Sequence, residues 1–188
     1  MTTYTFHTSD SAPEAAQPFL RKAENGFGFI PNLLAGLANA PAALEAYLRL
    51  DQLFSNSSLD PVERQVVLLS TSVVNRCEFC VAAHSMIAKK MAGVPEPVVT
   101  AIRDNTAIDD PKLAALAAFT VAVVEQRGWV KDHPSFAAFL AAGYQPEQAL
   151  DVILGVTQKT ISNYANHLLE TPLNDAFANE QWSAPQKG

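Results

Sequence analysis

The sequence predicts an all-helical, single-domain bundle of about seven to nine helices. Three observations lead there. Of the 188 residues 48% are hydrophobic, Ala and Leu are prominent, and there are only 8 glycines; Ala and Leu lose little freedom in a helix. No segment alternates apolar and polar residues in the two-residue rhythm of a strand. Helix start and stop signals recur along the chain instead.

Taken in order, residues 1–12 read as a flexible N-terminus. Pro13 opens a short helix that stops near Asn25-Gly26, and Gly26 to Pro31 (GFGFIP) forms a loop with two aromatic residues. Helical stretches follow at about 32–38 and 41–54, and the polar run Asn56-Ser57-Ser58 breaks the chain. The next start is strong: Asp60 suits the N-cap, Pro61 the first helical position, and Glu63 the third, where it can reach back to the cap. That helix should run to Val74 and end around Asn75. Another begins near Cys77 and continues to Met91, punctuated by Gly93 and Pro95. A helix fits 96–104. Asp110-Pro111 repeats the cap-and-proline start, and its helix ends at Gly128. Helices at about 134–142 and 146–169 complete the set, with room for a break in the latter, and Thr171-Pro172 closes it. The paired Asp-Pro starts hint at a weak internal duplication. No composition shift divides the chain, so residues 13–175 form one helical domain and 176–188 a C-terminal tail.

Charge and hydropathy narrow the function classes. The formal net charge is −6, and no cluster of Lys and Arg is dense enough to follow a phosphate backbone, which argues against nucleic acid as a partner. The longest apolar runs, such as Val66 to Leu69, are far shorter than the roughly 20 residues needed to span a bilayer. Met1 to Asp10 lacks the apolar centre of a signal peptide. A reducing cytoplasm is the expected compartment.

The two cysteines, Cys77 and Cys80, are three positions apart. A structural disulfide gains by closing a long loop, and this pair closes almost nothing, so it reads as redox-active or metal-binding. On a helix, Cys77, Cys80 and His84 (i, i+3, i+7) share one face, with His84 one turn beyond Cys80 and able to accept or hold its proton. The thiolate is the reactive form. The helix N-terminus, the charge of Arg76 and the titratable His84 all favour it; Glu78 opposes it but points away from the stripe. Zinc in a closed structural site would need four ligands, and only three are local. Haem attachment needs a histidine directly after the second cysteine, where Val81 stands. The site can therefore cycle between dithiol and disulfide, and an inert buried pair with a core histidine is the bland alternative.

The segment Asn75-Arg76-Cys77-Glu78-Phe79-Cys80-Val81-Ala82-Ala83-His84 resembles the core motif of the alkylhydroperoxidase D-like proteins of the carboxymuconolactone decarboxylase superfamily. The preceding helix from Leu59 to Val74 and Gly93 also fit. Phe29-Ile30-Pro31-Asn32-Leu33-Leu34, the run Asn163-Tyr164-Ala165-Asn166-His167 and Thr171-Pro172-Leu173 are similar to the peroxidase-related branch. The resemblance implies an all-helical homo-oligomer, a trimer or hexamer, that reduces hydroperoxides through the paired cysteines. It implies no bound cofactor, and electrons from a thiol donor such as a lipoylated protein. Decarboxylase members lack the cysteine pair, so decarboxylation is disfavoured. Family peroxidases carry a relay glutamate twelve residues before the first cysteine; here that position is Gln65, whose amide orients water but takes up no proton. Glu63 is the nearest substitute, but it lies roughly 200° around the helix and suits capping better.

The expected activity is thus a thiol-dependent peroxidase acting on alkyl or hydrogen peroxide, with Cys80 attacking and Cys77 resolving. One alternative, prompted by Gln65, is a thiol–disulfide exchange enzyme or adaptor with little peroxidase activity; another is a non-enzymatic oligomeric binding protein. Elsewhere, His7 and His133 read as surface residues and His167 as structural. Phe27 and Phe29 read as core or subunit-contact residues before mouth-covering ones, and Lys89 and Lys90 as a solvated face. Trp129 and Trp182 carry no evident chemistry.

Overall fold

A computed structural model describes residues 4–185, in which nine α-helices, one π-helical turn and one 3-10 turn account for the regular structure and there is no strand. The all-helical expectation holds. The helices are α1 (Gln17–Phe27), α2 (Asn32–Leu37), α3 (Pro41–Ser55), α4 (Pro61–Val74), α5 (Glu78–Ile87), α6 (Glu96–Asp104), α7 (Pro111–Glu125), α8 (Pro134–Ala141) and α9 (Pro146–Leu169). Among the described residues no helix is long and apolar enough to cross a membrane.

The strongest sequence signals act as read. Asp60 and Glu63 form a reciprocal capping box at the start of α4, with Glu63 N donating to Asp60 Oδ1 (2.8 Å) and Asp60 N to Glu63 Oε2 (2.9 Å). Asp110 caps α7 by accepting from Lys112 N and Leu113 N. His133 accepts from Ser135 N at the start of α8.

Other boundaries shift for local reasons. Pro13 starts only a turn, and α1 proper begins at Gln17. It runs through Gly26 because Gly28, at φ +79°, supplies the left-handed closing residue. After Ile87 the backbone widens into a π-turn over Ala88–Ala92, ended by Gly93 at φ +74°. α9 is unbroken through Gly155, where a Cβ would come within 2.7 Å of Phe54 and 2.8 Å of Val67. That glycine lets α9 lie close against α3 and α4.

α4 is the central helix, packed by α3, α5, α6, α7 and α9. One apolar cluster joins α4, α6, α7 and α8 to the first half of α9; a second joins α1, α2 and α3 to α5. α5 belongs to both: Val81 faces the first cluster, and Cys77, Phe79 and Cys80 face the second. The cysteines therefore sit at the seam.

Of the expected N-terminal segment 1–12 and tail 176–188, residues 1–3 and 186–188 lie outside the described residues. Residues 4–12 run along α2, with Asn39 Nδ2 donating to Thr5 O (2.7 Å) and His7 N to Ala35 O (3.2 Å). At the other end a 3-10 turn (Asp175–Glu180) buries Phe177, and Trp182 Nε1 donates to Arg103 O (3.2 Å). Lys89, expected on a solvated face, is paired with Glu180 of this segment.

Candidate active site

The turn between α4 and α5 places the cysteines. Arg76 takes a left-handed conformation (φ +58°), which reverses the chain so that Cys77 N bonds back to Ser72 O at 3.0 Å. Cys77 becomes the N-cap residue of α5, and Cys80 sits in its first turn, where unpaired backbone N–H groups favour negative charge. Helix α9 clamps this turn. Asn163 Oδ1 accepts from Asn75 Nδ2 (2.9 Å), and Asn166 Nδ2 donates to both sulfurs, at 3.2 Å to Cys80 and 3.6 Å to Cys77.

The two cysteines differ in environment. Both are buried, 1% and 2% exposed, and reduced. Cys80 lines a cavity of about 410 Å³, and Cys77 lies behind it. The cavity walls are mostly apolar: Phe27, Phe29, Leu34, Phe79, Met86 and Phe177 contribute, with Tyr47, Asp51, His84 and Lys159 as polar points. Phe27, Phe29, Phe177 and Phe79 form a chain of neighbouring rings at centroid spacings of 6.3, 6.0 and 5.8 Å. Phe27 and Phe29 line the cavity wall; Phe29 also packs against the second core cluster, as expected of a core residue, and Phe27 is 55% exposed at the mouth.

His84 does not hold the Cys80 proton as the sequence suggested. Its Nδ1 lies 3.0 Å from Gln65 Oε1 and its Nε2 lies 2.9 Å from Lys159 Nζ. An amide oxygen only accepts, so Nδ1 carries the hydrogen and Nε2 accepts from the lysine. Burial, and then the charge of Lys159, hold this imidazole well below its ordinary range, so it is neutral.

Lys159 is the residue that sequence reasoning missed. It is 0% exposed, on the inward face of α9 in phase with Val152, Gly155, Ser162 and Asn166. Burial opposes ionisation of Cys80, but the hydrogen bond from the Cys77 thiol, the charge and hydrogen bonding of Lys159, and Ser162 outweigh it. The Cys80 thiol is held well below its usual range. Cys77 moves the other way, pushed up by its hydrogen bond to Cys80, by burial and by the Cys80 charge. The pair is asymmetric, with Cys80 the more readily ionised sulfur and Cys77 the one that keeps its proton.

The remaining candidates fall outside this cluster. Arg76, expected to lend charge, lines a separate groove with Val73, Ile108 and Glu125; Lys159 takes the part assigned to it. Glu63 caps α4 and pairs with Lys112 at 2.8 Å, away from the cavity. Glu78 accepts from Ala184 N (3.0 Å), and His167 is exposed on α9. Tyr47 is pushed up by burial and by the charge of Asp51, so its phenol stays protonated. Burial raises Asp51 against the opposing Gln158 and Lys159.

Residues 41–123 match the family model for the carboxymuconolactone decarboxylase family, a span that holds Gln65, Cys77, Cys80 and His84 but stops short of Lys159. No curated protein matches the chain. Among solved structures, an uncharacterised peroxidase-related protein from Ralstonia eutropha JMP134, described as an alkylhydroperoxidase AhpD core, is similar at 22% identity and TM-score 0.81, over 93% of each chain. A peroxidase-related protein from Silicibacter sp. TM1040 is similar at 16% identity and TM-score 0.76, over 94% of this chain and 95% of that one. The debrominase Bmp8, solved as a cysteine-to-alanine variant with 2,3,4-tribromopyrrole, is similar at 18% identity and TM-score 0.77, over 96% and 95%. The segment that matches the carboxymuconolactone decarboxylase family model lies over the cysteine motif, and the helical fold around it is similar to that of the alkylhydroperoxidase AhpD core structure.

Proposed function

We propose that the chain is a thiol-dependent peroxidase that reduces organic hydroperoxides through Cys77 and Cys80. The observation that carries this reading is the asymmetry of the pair: a stabilised Cys80 thiolate on the cavity wall, with the Cys77 thiol directly behind it. Cys80 attacks the distal peroxide oxygen, the O–O bond breaks, and a sulfenic acid forms on Cys80. Cys77 condenses with it, releasing water and closing a disulfide. An external dithiol, a lipoylated protein being the proposed donor, reopens the pair by exchange. The apolar walls favour an alkyl or aryl hydroperoxide over hydrogen peroxide, whose polar surface gains nothing from them. No tightly bound cofactor is required. The working assembly is proposed to be a homo-oligomer, supported by the exposed apolar stripe Leu150, Ile153, Tyr164 and Leu168 on α9.

The test is peroxide consumption with a dithiol donor in Cys80→Ser and Cys77→Ser. Cys80→Ser should be inactive, and Cys77→Ser should stop after one sulfenic acid. Full activity in both variants overturns the reading. In the wild type, mass spectrometry after stoichiometric hydroperoxide should show loss of two hydrogens on the peptide holding both cysteines.

A second reading is favoured by the ring-lined cavity and by a debrominase among the similar folds. The same dithiol would reduce a halogenated aromatic, exchanging carbon–halogen for carbon–hydrogen while the pair closes and halide leaves. Bromide release from a bromoaromatic, with no hydroperoxide turnover, selects it.

A further inference from the structure

We infer that Lys159 is the acid of this site: it gives its proton to the leaving oxygen as Cys80 attacks, so that oxidation of the pair leaves Lys159 neutral. The inference rests on the hydroperoxide reading above.

Attack on an O–O bond expels an alkoxide, a strong base that needs a proton inside a mostly apolar cavity. The groups able to supply it are few. Gln65 stands where a carboxylate relay would be, and its amide has no proton to give at neutral pH. His84 presents a lone pair, not a hydrogen, toward the cavity side, because its hydrogen is committed to Gln65 at 3.0 Å. From α3, Tyr47 holds its phenolic proton tightly, and Asp51 accepts from Gln158 Nε2 at 2.9 Å. Cys77 keeps its proton for the water released in the second step. Lys159 remains. It lines the same cavity as Cys80, and its Nζ is fixed 2.9 Å from His84 Nε2. His84 is then a positioning residue, which holds the ammonium beside the sulfur.

The step balances. The Cys80 thiolate forms an S–O bond, the O–O bond breaks, and the departing RO⁻ takes a proton from Lys159 to become ROH. The Cys77 thiol then forms the S–S bond, the S–O bond breaks, and the thiol hydrogen leaves with the hydroxyl as water. Peroxide is reduced by two electrons and the pair oxidised by two. Before reaction Lys159 and Cys80 carry one ammonium and one thiolate; afterwards both of these charges are gone. An ammonium left beside a disulfide would lose its thiolate partner, with Asp51 the carboxylate still on the same cavity wall, and proton transfer avoids that loss.

Two measurements test this. First, Lys159→Met and Lys159→Arg are compared with wild type toward iodoacetamide, whose iodide leaves without a proton, and toward cumene hydroperoxide. Each protein is assayed at a pH where ultraviolet absorbance shows its thiolate fully formed. Lys159→Met should alkylate within about threefold of wild type yet react with hydroperoxide about a hundredfold more slowly, the usual scale of general acid catalysis. Lys159→Arg, which cannot give up its proton, should behave like Lys159→Met with hydroperoxide. Equal losses with both reagents overturn the inference. Second, proton exchange is followed as wild-type protein is oxidised by diamide in weak buffer. Diamide takes up two protons, and loss of one each from Cys77 and Lys159 cancels them. Net uptake of one proton per chain overturns the inference. A wild type inert to hydroperoxide sinks the parent reading; the proton count then decides Lys159 alone.

Discussion

The substitution Gln65→Glu probes the neutral imidazole directly. In the wild-type site, Gln65 Oε1 accepts from His84 Nδ1 at 3.0 Å, and Lys159 donates to Nε2 at 2.9 Å. A carboxylate in place of the amide sets a negative charge about 4 Å from the ring's charge centre. At an effective dielectric constant of about 20, the attraction for an imidazolium is about 4 kcal/mol, or about a thousandfold in the ring's affinity for a proton. The repulsion from Lys159 already contributes to the low wild-type proton affinity, so the added carboxylate acts on top of it. The His84 titration therefore moves upward, toward neutral pH. A hydrogen on Nε2 removes the acceptor for Lys159, and the ammonium has to leave the ring. NMR titration of the His84 ring protons checks this, with hydroperoxide turnover measured alongside. A relay through the carboxylate and the protonated ring then supplies the proton in place of the displaced ammonium and should raise turnover; unchanged turnover counts against the relay argument. A His84 ring that titrates alike in both proteins refutes the assignment of a neutral imidazole held between Gln65 and Lys159.

Asn166→Ala removes donors at 3.2 and 3.6 Å from the sulfurs. At roughly 1.5–3 kcal/mol for a bond to a charged group, the Cys80 titration should rise and iodoacetamide labelling at neutral pH should slow by about tenfold; unaltered labelling would show that the amide is not a thiolate donor. Gly155→Ala drives a methyl group into Phe54 and Val67, at a cost of roughly 1–3 kcal/mol against about 1 kcal/mol regained in helix propensity. Urea denaturation should show a net loss that Phe54→Leu relieves. Burial opposes ionisation of Glu63, but Lys112 and the Asp60 backbone N–H outweigh it and lower its pKa. The folded state therefore binds that proton less readily than the unfolded state, and Glu63 contributes stability above about pH 4.5, its unfolded value, that fades as pH falls through the lower folded value. Glu63→Gln should be less stable than wild type by about 1 kcal/mol near neutral pH, with the gap closing in acid; denaturation curves at two pH values decide it.

The fold was legible wherever a boundary is written in local chemistry. Asp60-Pro61 and Asp110-Pro111 name their helix starts because a carboxylate cap and a donor-free proline suit those positions. The π-turn at Ala88–Ala92 was not legible, since nothing in Ala-Lys-Lys-Met-Ala distinguishes i→i+5 bonding from i→i+4. At the site, Cys77, Cys80, His84 and Gln65 were visible as a motif within one helical hairpin. Lys159 was not, because it arrives from a helix 75 residues after His84 in sequence. Its one local trace is periodicity: it shares the face of Val152, Gly155 and Ser162, where a lysine has no reason to be unless something buried needs its charge. Arg76 misled for the converse reason. Adjacency in sequence says nothing about direction once the backbone passes through a left-handed residue.

The placement of one sulfur on the cavity wall and the other behind it constrains the rate law. In the proposed cycle, both the oxidant and the molecule that later reopens the disulfide must come through one doorway to the same atom, Cys80. They have to take turns. Steady-state kinetics should therefore be double-displacement, with parallel reciprocal plots, and each reactant in excess should inhibit by occupying the doorway when the other is due.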